Sequence, residues 1–172
     1  MKKNLILIPF LFYFLFANTQ TVSENIKSQA EKMVTAFKDE NYNSLLDYTY
    51  PKILEIAGGK VVLEAMVKQM MDDMKADGVF VDSATVGVPG TIFQAGSELH
   101  STITQTVYMH FTGGKMTSES TLLAVSMDAG SNWYFLDIKQ LTPEMKNQFF
   151  PDFNSELIIP EPKPLITTYD EN

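Results

Sequence analysis

The chain has 172 residues, 45% of them hydrophobic, a formal charge of −8 and no cysteine. Its basic residues are all lysine, so it lacks the planar guanidinium fork that grips phosphate and carboxylate, and an acidic surface of this kind makes nucleic acid and anionic lipid poor partners. Without cysteine, stability must come from apolar packing even in a compartment that permits disulfides.

The chain opens on Lys2 and Lys3, an apolar run from Leu5 to Ala17, and a short polar exit. That run is too short to cross the ~30 Å hydrocarbon layer as a helix, and Ala17 is the small residue a cleavage site requires. Residues 1–21 therefore read as a signal peptide, removed between Ala17 and Thr21, and the protein is expected to be exported, periplasmic or secreted, with no stable membrane anchor after cleavage. No cysteine stands near Ala17 to take a lipid. The mature part keeps 11 lysines against 21 acidic residues, a charge of −10. Its length suits one domain, residues 22–142, followed by a tail over 143–172.

Ser23 is the predicted N-cap of a first helix, behind which Ile26, Ala30, Met33, Val34 and Phe37 recur at three- and four-residue spacing. This helix is expected to end around residues 39–43. A short helix carries Leu45 and Leu46, and Pro51 holds Tyr50 extended. One more turn follows from Lys52 to Ala57, closed by Gly58 and Gly59. Val62, Leu63, Met66, Val67, Met70 and Met74 then mark a long amphipathic helix stopped at Asp77-Gly78.

From Val79 to Ile138 the periodicity changes to two, with β-branched and aromatic residues between glycines, which predicts an antiparallel sheet. The expected strands are 79–88, 91–95 after a type II turn at Pro89-Gly90, a long hairpin of 99–112 and 115–128 across Gly113-Gly114, and 132–138. After Pro143 come a short turn, MKNQFF, and a tail with Pro151, Pro160, Pro162 and Pro164 that reads as extended and partly disordered. Helices first and strands afterwards predict an α+β domain with helices packed on one face of a curved antiparallel sheet.

The order of elements, the stretch from Phe37 to Gly59 ending in GGK, and the long hairpin resemble the nuclear transport factor 2-like superfamily. This cone-shaped roll is shared by ketosteroid isomerase-like and polyketide cyclase-like proteins. The resemblance covers about residues 22–140. It implies a pocket between the helices and the concave sheet face, and a possible homodimer through the sheet. No catalytic residue of that superfamily can be matched here position by position.

The candidate site residues come from the strands. Asp137, on the same side as Trp133 and Phe135, is the best single acid or base, because a carboxylate among aromatic rings in a closed pocket is desolvated. If that side faces water instead, Asp137 pairs with a lysine such as Lys139 or is simply solvated. Gln105 is a polar group in the apolar row of Ile103, Val107, Met109 and Phe111. Buried, it needs a partner, which a neighbouring serine or backbone group, a ligand or a water would supply. Tyr48 and Tyr50, at the corner between helices, would line the same pocket's mouth, or else fill core. His100 and His110 share a face of one strand but lie roughly 33 Å apart along it. A two-residue Gly113-Gly114 loop would place Tyr108 opposite Glu119.

Asp72, Asp73 and Asp77 do not follow the calcium-loop spacing, neither Gly-Gly-Lys is followed by serine or threonine, and HExxH and GxSxG are missing. No metal and no cofactor is expected. The leading expectation is an exported non-catalytic domain that binds a small apolar or amphipathic ligand, or a protein partner, in the pocket. The alternatives are a cofactor-free isomerase, cyclase or hydrolase using Asp137, and a dimeric assembly module.

Overall fold

The computed structural model describes residues 9–161 and 163–170, with side chains from residue 21 onward except at 140. It is an α+β fold in which N-terminal helices contact a six-stranded antiparallel sheet. The helices are α1 (Pro9–Lys38), α2 (Tyr42–Leu46), α3 (Pro51–Ile56) and α4 (Lys60–Ala76). The strands are β1 (Phe80–Val86), β2 (Phe93–Ala95), β3 (Glu98–Phe111), β4 (Gly114–Ser126) and β5 (Tyr134–Asp137), followed by a 3-10 turn (Ile138–Gln140), α5 (Pro143–Phe149) and β6 (Ile166–Tyr169). The sheet runs β1-β3-β4-β5, with β2 also on β3 and β6 also on β4.

α1 runs on through Ser23, which is therefore inside the helix and not its cap. Its stripe of Ile26, Ala30, Met33 and Val34 packs on Ile103, Leu122, Ala124, Trp133 and Phe135 to form the core of the helical face. Polar side chains fix where it sits. Asn25 Nδ2 donates to the Gly130 carbonyl at 2.7 Å, and the Trp133 backbone N–H donates to Gln29 Oε1 at 2.9 Å. These bonds tie α1 to the β4–β5 turn.

After α1, Asn41 caps α2 by accepting from the Ser44 backbone N–H, and Tyr50 is extended before Pro51 (φ −55°, ψ 127°). α4 is clamped at both ends, where Lys60 pairs with Asp47 and Lys75 with Glu40. Exposed pairs of this kind contribute ~0–1 kcal/mol each, so they set position more than stability. Met71 is the buried side chain of α4, whereas Val62, Met66 and Met70 are about half exposed.

The β3–β4 hairpin pairs Phe111 with Gly114, so its two-residue loop is Thr112-Gly113. This corrects the expected register by two residues: Tyr108 faces Thr117, and Glu119 faces Thr106. Gly113 takes the positive φ (90°) that the turn needs. Gly114 is a strand residue instead, because β6 passes so close that a Cβ there would lie 2.5 Å from the Thr168 carbonyl oxygen. A shift of two preserves which face each side chain occupies. The expected turn at Pro89-Gly90 is also corrected. The Gly87 and Gly90 N–H groups donate to the Thr104 and Thr102 carbonyls, so the segment rides along β3, and Gly90 has no positive φ.

The opposite sheet face is covered as well. Leu123, Val125 and Leu136 pack with Tyr50, Phe149, Phe150 and Leu157 in a second core. The MKNQFF stretch is part of a true helix, α5, capped by Thr142. Farther along, four residues expected as tail form β6, antiparallel to the start of β4.

Candidate functional site

Between α4 and the helical face of the sheet lies a cavity of about 350 Å³. α4 packs on α2 and α3, and the pairs of Lys60 with Asp47 and Lys75 with Glu40 fix its two ends. Met33 and Phe37 of α1 and Leu63, Val67 and Met70 of α4 form the walls of the cavity, and Val107, Leu122 and Phe135 form its floor. Met66 and Val62, exposed on α4, extend the apolar surface outward beside it.

Three polar side chains interrupt the apolar lining: Thr49, Gln105 and Asp137. Among the described residues no lysine or histidine lines it. The pairing Gln105↔Ser120 and Leu122↔Asp137 places Gln105 and Asp137 on one face, two strands apart and offset by two residues, at ~12 Å by the usual strand dimensions. Among the described residues, the half-buried Gln105 amide has no protein hydrogen-bond partner. Asp137 Oδ1 accepts the Lys139 backbone N–H at 2.9 Å, which caps the 3-10 turn. The Lys139 ammonium turns away and donates to the Glu119 carbonyl at 3.3 Å. Asp137 therefore meets Lys139 through its backbone and not through an ion pair.

Of the six residues singled out in the sequence, Gln105, Phe135 and Asp137 line this cavity together. Trp133 sits beneath it in the core, 1% exposed, with its indole N–H on the Gly130 carbonyl. Tyr48 packs against the same core from the side. Tyr50 lies in the other core, because residues 48–50 run along β5: the Phe135 N–H donates to Tyr48 O and the Tyr50 N–H to Phe135 O. Successive side chains of such an extended segment alternate in direction, and it is Thr49 that reaches the cavity.

Tyr50 belongs to a polar chain that the sequence reading missed. Its hydroxyl donates to Glu98 Oε1 at 3.2 Å, and His100 Nε2 bonds Glu98 Oε2 at 2.9 Å. Burial, then the Glu98 carboxylate, push the Tyr50 phenol far above its ordinary pKa. His100 Nδ1 is the one buried side-chain polar atom, among the described residues, that has no hydrogen-bond partner. The rings of Phe150 and Phe153 pack on the imidazole at 5.2 and 5.6 Å and bury it, whereas the Glu98 carboxylate keeps some exposure, and both side chains line a smaller cavity of about 180 Å³ together with Lys52 and Asp152. The spacing of Glu98 and His100, two apart on one strand face, was the available signal. His110, at the other end of β3, is exposed and bonds Asp82 at 2.6 Å. Asp72 pairs with Lys68 and Asp73 accepts from Gln69. Among the described residues no group of three His, Asp or Glu is placed to hold a metal ion, and no helix is long and apolar enough to cross a membrane.

The fold defines the class as an α+β protein with helices on a six-stranded antiparallel sheet. In comparisons with known proteins, no family model, no curated protein and no solved structure matches the chain.

Proposed function

We propose that this is an exported, non-catalytic domain of the nuclear transport factor 2-like, cone-shaped roll type that binds a small amphipathic ligand in the cavity between α4 and the sheet. The observation that carries the reading is an apolar chamber of about 350 Å³ with an accessible, unpartnered Gln105 amide and a carboxylate on its floor. Small-molecule sites combine just these elements, mostly apolar walls and a few polar groups that fix orientation, and start at ~300 Å³. The apolar residues exposed on α4 beside the cavity suit an entering hydrocarbon. The described core side chains of α1, Val22, Ile26, Ala30, Met33 and Val34, lie on the mature side of the proposed cleavage.

Titrating the mature protein with Nile red, a neutral apolar dye, tests this. Saturable one-to-one uptake is expected, and Val107→Phe, which fills the floor, should abolish it. No saturable uptake, or uptake indifferent to Val107→Phe, contradicts the proposal.

A further inference from the structure

The charge of the cavity lining narrows the ligand class, on the assumption that the cavity is the binding site. A carboxylate on an apolar floor is normally neutralised by a cation of the protein, since an uncompensated charge facing low-dielectric walls is costly. Here that cation is missing. Asp137 has one hydrogen bond, from the Lys139 backbone N–H, while the Lys139 ammonium is engaged on the Glu119 carbonyl. Among the described residues no lysine lines the cavity, the chain contains no arginine, and its formal charge is −8. An anionic amphiphile such as a fatty acid would meet Asp137 with nothing to offset the repulsion.

We infer that the cavity selects a cationic amphiphile, with an ammonium group at Asp137 and an apolar body against Phe37, Val67, Leu122 and Phe135. An ammonium supplies the charge Asp137 lacks and N–H donors for its carboxylate oxygens. Gln105, ~12 Å away across β4, offers both a donor and an acceptor to a second polar group on the ligand's body. The methionines of the wall, Met33 and Met70, adapt to an irregular chain.

The test uses three probes with the same hydrocarbon and different heads: octylamine, octanol and octanoate, titrated calorimetrically into the mature protein at neutral pH. Octylamine should bind about tenfold more tightly than octanol, and octanoate most weakly. Asp137→Asn should erase the amine's advantage over octanol, and an asparagine oxygen still caps the 3-10 turn, so the fold of the site is kept. If octanol or octanoate binds as well as octylamine, or if Asp137→Asn keeps the preference, the charge selection is wrong and the binding site stands. If none of the three binds, the ligand-binding reading falls with it.

Discussion

The two faces of the sheet are filled in different ways. On the face opposite the helices, aromatic side chains of Tyr50, Phe149 and Phe150 close over Leu123 and Val125, and a hydrogen-bonded chain of Tyr50, Glu98 and His100 runs through the contact. On the helical face, α1 packs tightly but α4 stands off, leaving the cavity over Val107, Leu122 and Asp137. The larger cavity is thus one loosely filled part of an otherwise packed helical face, and the substitutions below test its contrast with the aromatic face.

The largest contrast is between Phe150 and Val67. Phe150, 3% exposed, should cost ~3–5 kcal/mol when changed to alanine, whereas Val67→Ala at the cavity wall should cost about 1 kcal/mol or less. Urea unfolding of both variants measures the difference, and equal losses would erase the contrast. Next comes Glu98→Ala, which strips the acceptor from both Tyr50 and His100. A loss of about 2–3 kcal/mol is expected, with Tyr50→Phe in the same background recovering part of it.

Alkaline pH probes the burial of Tyr50. Tyr50 titrates above its ordinary value of about 10, so in the folded protein it stays neutral while the unfolded chain ionises. Its stabilising share is complete below that pH and declines as pH rises above it. Tyr50→Phe should therefore flatten the loss of stability at alkaline pH, measured as the denaturation midpoint against pH. An unchanged slope would mean that the phenol is not sealed.

The smallest effect belongs to the β4–β5 turn. The backbone N–H and side-chain amide of Asn132, together with the Ser126 hydroxyl, hold the Asp128 carboxyl below its ordinary pKa. A depressed carboxylate contributes stability above its unfolded value and loses it as pH falls through the folded one. Asp128→Ala should lower the melting temperature modestly at neutral pH, and the gap to the parent protein should close under acid conditions.

Local periodicity carried most of the fold. The three- and four-residue spacing from Ile26 to Phe37 and from Val62 to Met74 placed α1 and α4, and the two-residue pattern around the hairpin placed β3 and β4 within a residue or two. What escaped depended on contacts distant in sequence. The hairpin register turns on Gly114, whose role is set by β6 more than fifty positions away, and proline-rich segments show no periodicity to announce a strand. Parity along the strands brought Gln105, Phe135 and Asp137 into one chamber, since a common face is readable from alternation. The direction of Tyr50 was not, because it follows from a bridge between Thr49 and Phe135.

The most direct measurement of the central proposal is native mass spectrometry of the protein purified from cells without added ligand, set beside its denatured mass. The account predicts a releasable small amphiphile, missing from a Val107→Phe variant prepared in the same way. A bare protein that also refuses every added amphiphile, with its cavity unfilled, would contradict it.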